Sequence, residues 1–218
     1  MKLPLIIVNF KTYKQAIGEN AVNLAKICEK VAKSSGKTII VAVTNNDVYR
    51  VAKAVSIPVF SQHIDAIEYG AYTGHVLPEN VKESGASGVL INHSEDRIKI
   101  ADIKRAVELA RRAGLISAVC AATPLEVAKF AEFRPDFIAI EPPELISGKI
   151  SVSRAKPEVI INSLKKVKKI PLLTGAGVKT TEDVKLAINY GTKGVLIASG
   201  VAKSEDPEKA LSYLVKGL

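Results

Sequence analysis

Three side chains suited to moving protons beside an anion stand just past apolar runs of this 218-residue sequence: Lys11 after LIIVN, His93 after GVLIN and Glu141 after FIAI. An ammonium can face a negative charge, an imidazole can exchange a proton near neutral pH, and a carboxylate shielded from water can act as a base. Asn9 precedes the lysine, Gln62-His63 follow another apolar run, and Asn92, Ser94 and Glu95 flank His93. Singly, these residues have ordinary explanations. Lys11 reads as a surface lysine, His93 as a satisfied structural histidine and Glu141 as a carboxylate at a helix start. They acquire meaning only if the fold brings the ends of the runs to one mouth.

The elements that must do this are short runs rich in Val, Ile and Leu at Leu5–Val8, Thr38–Val43, Pro58–Phe60, Gly88–Ile91, Ile116–Cys120, Phe137–Ile140, Pro171–Leu173 and Gly194–Ile197. They are nearly continuous rather than alternating, as strands covered on both faces require. Helical stretches lie between them. Asn20–Ala32 sets Val22, Ala25, Ile27, Cys28 and Val31 at spacings that share a face, and Asp102–Ala113 behaves alike. Helix starts are signalled by Thr123-Pro124 with Glu126, by Lys156-Pro157-Glu158, and by Thr181 with Glu182 and Asp183, and ends by Gly36, Gly85, Gly114 and Gly191. The expected class is α/β with a parallel sheet, and periodicity leaves open both a doubly wound sheet and a closed (β/α)8 barrel. No GxGxxG follows the first run, so a dinucleotide-binding half lacks support. Polar residues gathered after the runs favour the barrel, whose sites form at strand ends.

A hydrophobic content of 47% suits one extensive core, and without a linker or low-complexity tract a single domain over residues 1–218 is expected. The net charge of +9 invites a nucleic-acid reading, but aromatic residues are only 5% and the densest run, Lys165, Lys166, Lys168 and Lys169, falls at a helix end where cations suit the dipole. That run reads as a solvated face, and no nucleic-acid partner is expected. The start, MKLPLIIVNFK, is too short in apolar character for a signal peptide or a membrane span, which predicts a cytoplasmic protein with no membrane partner. Cys28 and Cys120 form no CxxC or Cys/His cluster and read as reduced, buried thiols, with no metal site.

With their flanks, the polar positions become specific: VNFKTY from Val8, INHSEDR from Ile91, AIEPPELISGK from Ala139 and TGAGVKTTED from Thr174. In this order they resemble the triosephosphate isomerase family along the whole chain, and the compact length is similar to its archaeal branch, whose members are typically tetramers. The resemblance implies a (β/α)8 TIM barrel of eight parallel strands. It implies interconversion of D-glyceraldehyde 3-phosphate and dihydroxyacetone phosphate through an enediolate, in glycolysis and gluconeogenesis, without a cofactor. It also implies roles: His93 as electrophile, Glu141 as base, Lys11 as the cation on substrate and enediolate, Asn9 as a further substrate contact, and Ser94 and Glu95 as supports of the lysine and histidine. The chemistry needs both a base and an electrophile, because a C–H proton beside a carbonyl is too weakly acidic to leave unaided. The proton affinity of a neutral His93 would be lowered if the ring met a helix N-terminus, an arrangement the sequence permits.

For phosphate, the resemblance implies N–H groups near Ile146 and Ser147 and at Gly177, Ala198 and Ser199. The chain departs from the family pattern at Ala198-Ser199, where paired glycines are usual, and at TGAGV, which lacks the usual tyrosine. Pro142 to Gly148 reads as a lid, stiffened at one end by two prolines and freed at the other by Gly148. Gly70 to His75 resembles the family's projecting third loop, which inserts into a neighbouring subunit, so a homo-oligomer is expected, tetramer ahead of dimer. Cys120 is expected to be a core residue rather than a nucleophile. Two rival readings share the fold: another phosphate-binding barrel enzyme, and a non-catalytic sugar-phosphate-binding barrel. Neither needs Lys11, His93 and Glu141 together.

Overall fold

The computed structural model describes residues 1–145, 151–167 and 169–218. The strands β1 (Leu5–Asn9), β2 (Thr38–Val43), β3 (Val59–Ser61), β4 (Gly88–Ile91), β5 (Ile116–Ala121), β6 (Phe137–Ile140), β7 (Leu172–Thr174) and β8 (Gly194–Ile197) pair in sequence order into a closed barrel. Every pairing is parallel, and β8 returns to β1 through Leu5 opposite Gly194 and Val8 opposite Ile197. Closure decides between the two architectures that periodicity had left open.

Alternation along each strand divides the continuous apolar runs between two cores. Leu5 and Ile7 face the interior with Ile40, Phe60, Leu90, Ala139 and Leu196, while Ile6 and Val8 face the helices with Ile39, Val41 and Val89. This is why the runs show no polar face: inside and outside are both apolar, each buried Leu, Ile or Val being worth roughly 1.5–3 kcal/mol. Phe60 fills the interior only because Gly88 has no side chain, since a Cβ there would lie 2.4 Å from the Phe60 ring. Replacing Phe60 with Ala would cost about 3–5 kcal/mol.

The outer layer comprises α1 (Glu19–Ser35), α2 (Val48–Ala54), α3 (Pro78–Glu83), α4 (Ile100–Arg112), α5 (Pro124–Ala131), α6 (Val152–Ala155), α7 (Pro157–Leu164), α8 (Thr181–Asn189), α9 (Ser199–Ala202) and α10 (Pro207–Leu214). On α4, Ile103, Ala106, Val107 and Ala110 fall at helical spacing and are buried, with Asp102 in the first turn and Arg111 and Arg112 in the last. The expected starts hold at α5, where Thr123 accepts from the N–H of Glu126, and at α7, which opens with Pro157. Gly36, Gly85, Gly114 and Gly191 all take positive φ at helix ends.

Several boundaries move by one residue. β3 and β7 begin after Pro58 and Pro171, because proline has no N–H for the ladder, although both carbonyls still accept, from Val41 and Ile138. The cap of α8 is Thr180 rather than Thr181: its hydroxyl accepts from the Asp183 N–H while the Asp183 side chain returns to the Thr180 N–H, closing a capping box. Lys165 and Lys166 lie just past α7, and Lys168 is outside the described residues. No described helix is long and apolar enough to cross a membrane.

Candidate active site

All strands point the same way, so Asn9, Lys11, His93, Glu141, Gly177, Ala198 and Ser199 line one cleft where the strands end. Just past β1, Lys11 adopts φ 49°, a conformation that costs a non-glycine residue roughly 1–3 kcal/mol. Two neighbours hold it there. Its N–H donates to Asn9 Oδ1 at 3.0 Å, and its carbonyl accepts from Gln62 Nε2 at 3.2 Å. The ammonium is buried and lies 2.6 Å from Glu95 Oε1.

At the end of β4, Asn92 turns the chain with φ 62°, and its side chain donates to the Cys120 carbonyl at 3.0 Å while accepting from the Ile98 N–H at 3.1 Å. His93 is thereby aimed into the cleft. The Glu95 N–H donates to His93 Nδ1 at 3.2 Å, so the neutral ring carries its proton on Nε2, which faces Glu141 Oε2 at 3.7 Å. No helix begins at this point: after His93 the chain makes a turn closed by Asp96 N–H to the His93 carbonyl, and α4 begins only at Ile100. One N–H of the turn touches the ring in its place. Glu95 therefore contacts both lysine and histidine, whereas the buried Ser94 hydroxyl has no hydrogen-bond partner among the described residues.

Glu141 follows β6, its N–H fixed to the Ala121 carbonyl at 2.8 Å. Burial pushes its carboxyl above the ordinary value, and the opposing pull of His93, the Cys120 thiol and Lys11 does not reverse that shift. Its Oε2 has no hydrogen-bond partner among the described residues. Gly175, just past β7, makes room for it: a Cβ there would lie 2.4 Å from Glu141 Cγ. Cys120 is buried beside this carboxylate, and burial and the nearby negative charge raise its thiol; burial likewise pushes Cys28 up to about 12. Both thiols are in their inert, protonated form.

The other wall is backbone. Ala176 and Gly177 have φ of 64° and 73°, and Ala198 caps the short α9. Among the described residues, nothing accepts from the N–H groups of Gly177, Ser199 and Gly200. Ile146, Ser147 and Gly148, the end of the stretch read as a lid, lie outside the described residues, and its start holds a 3-10 turn at Pro143–Leu145. The cleft also takes Tyr13 and Lys179, which the sequence reading did not single out although both fall within its motifs. No group of three or more His, Cys, Asp or Glu among the described residues could hold a metal ion.

The third loop projects from the barrel with Tyr69 and Tyr72 exposed. Its arms are tied at Asp65, which accepts from the Val76 N–H at 2.6 Å and donates its own N–H to the Val76 carbonyl, and Glu68 pairs with Arg105 and Arg112.

Fold and cleft together define an α/β-barrel enzyme class in which strand-end side chains meet a wall of backbone donors. The family model described as triosephosphate isomerase matches residues 4–215, and the chain belongs to that family. It is 50% identical over 205 residues to the triosephosphate isomerase of Methanothermus fervidus, covering 92% of each chain. It is 46% identical to that of Methanosarcina barkeri, covering 93% of each. Among solved structures, triosephosphate isomerase from Bartonella henselae aligns with a TM-score of 0.72 at 25% identity, over 89% of this chain and 92% of that one.

Proposed function

We propose that this protein interconverts D-glyceraldehyde 3-phosphate and dihydroxyacetone phosphate, as the family's name describes. The observation that carries the reading is the arrangement of His93 Nε2 3.7 Å from the raised carboxyl of Glu141, in the same cleft as the buried ammonium of Lys11. Glu141 takes the C–H proton beside the carbonyl and returns it to the neighbouring carbon. His93 donates from Nε2 to the oxygen on which charge develops, and Lys11 offsets the charge of the enediolate. Asn9 holds Lys11 in its strained backbone, and Glu95 orients both the ammonium and the imidazole.

The phosphate lies against the N–H groups of Gly177, Ser199 and Gly200, which have no acceptor among the described residues, with Ala198 shaping the entry to α9. These donors are main-chain atoms, so Ala198-Ser199 can replace paired glycines. Ile146 and Ser147 complete the phosphate contacts on the loop that begins at Pro142, which closes over the substrate. Residues 1–218 form one barrel domain that works in the cytoplasm, in glycolysis and gluconeogenesis. The exposed Tyr69 and Tyr72 on the third loop favour a homo-oligomer, tetramer ahead of dimer.

A coupled assay tests the activity: purified protein should convert glyceraldehyde 3-phosphate far faster than buffer, and a rate equal to buffer would remove the isomerase reading in favour of a binding barrel. Mass measurement in solution tests the assembly, with only monomers at working concentration as the contrary result.

A further inference from the structure

Asp183 has no part in the chemistry above, yet it joins two stretches of chain that border the cleft. It is buried in the first turn of α8. Its Oδ2 accepts from the N–H groups of Lys179 at 3.1 Å and Thr180 at 3.0 Å, at the end of the turn that carries Gly177. Its Oδ1 accepts from Ser151 Oγ at 2.8 Å and Arg154 Nε at 2.6 Å, in the stretch through which the chain returns from the Glu141 loop. Ser153 Oγ donates to the Asp183 carbonyl at 3.1 Å, and the Val152 N–H donates to the Ala176 carbonyl at 3.2 Å.

Capping α8 occupies only one of these oxygens. The other is given over to residues about 30 positions earlier in the chain. Hydrogen bonds to an ionised acceptor are short and directional, so a carboxylate shared in this way fixes the separation of the stretches it joins. One of them carries the N–H groups that face the cleft from β7, and the other ends the loop that starts at Glu141. We propose that Asp183 is a positioning residue for substrate phosphate: it locks residues 151–154 onto the 176–180 turn and so sets where the Gly177 N–H lies relative to Glu141. The proposal rests on the isomerase reading for its substrate, but not for the anion site itself.

Asp183→Asn keeps the size but must turn an amide NH2 toward donors on one side or the other. The KM for glyceraldehyde 3-phosphate and the inhibition constant of inorganic phosphate should rise together by about tenfold, with kcat changed less than about threefold. Arg154→Met and Ser151→Ala remove only donors on the loop side, leave the capping box intact, and should raise the same two constants to a smaller extent. A lower melting temperature with both constants unchanged in all the variants would mean a merely structural role and overturn the proposal. Should Asp183→Asn fail to fold, the other two variants decide it, and unchanged constants in both overturn it. If the parent protein turned over no triose phosphate, the isomerase reading would fail on its own. Calorimetric binding of inorganic phosphate to parent and variants would still show whether Asp183 positions the anion site.

Discussion

The two walls of the cleft are built from different materials. The wall from β1 and β4 consists of named side chains in fixed relation: Lys11 strained and held by Asn9 and Gln62, His93 oriented through Glu95. The wall from β7 and β8 is mostly main chain, the N–H groups of Gly177, Ser199 and Gly200, without acceptors among the described residues, presented by small residues. Glu141 stands between them, aimed at His93 and seated against Gly175. The contrast teaches where each kind of chemistry tolerates change. Proton transfer needs particular side chains, whereas a phosphate can be held by donors that every residue except proline carries.

If this contrast is right, substitutions in the first wall should be severe and side-chain changes in the second mild. The largest effect should come from Glu141→Gln, with kcat down by about 10³ or more and KM changed less than about threefold in steady-state assays, because the base acts only in the transition state. The same variant should melt no lower than the parent, since it removes a carboxylate whose buried Oε2 lacks a partner among the described residues. Lys11→Met should lower kcat/KM by about 10² or more through both constants, as it removes the cation and leaves Glu95 without its partner. Parent-like kinetics would take the lysine out of the site.

Gly175→Ala sharpens the comparison, because it lies in the backbone wall yet its effect should fall on the base. The added Cβ displaces Glu141, and kcat should drop by roughly 10- to 100-fold while inorganic phosphate inhibits as before. In a pH profile, kcat/KM should be complete above the raised pKa of Glu141 and fall about tenfold per unit below it, since only the carboxylate can take the proton. Burial moves that limb to higher pH than the ordinary glutamate value, so a limb at the ordinary value would show that the carboxylate is hydrated during turnover. The smallest effect is expected from Ser199→Ala, which keeps the N–H and should change KM by less than about twofold. A large rise there would mean that the hydroxyl, and not the main chain, holds the phosphate.

Much of this was written locally in the chain. Apolar runs located the strands because a covered parallel strand must be apolar on both faces, and Thr123-Pro124, Pro157 and the glycines at helix ends punctuated the helices because capping and positive φ are local demands. Lys11, His93 and Glu141 were legible as types and, through their flanking motifs, as members of a family. The distant partners of those residues were not legible. That a turn N–H rather than a helix end meets His93, that Gly175 lies against Glu141, that Phe60 needs Gly88, and that Asp183 joins two loops all follow from which strand ends closure places side by side. Periodicity and caps depend on neighbours a few residues apart, whereas those contacts depend on the register of the whole barrel, and only the packed core fixes that register.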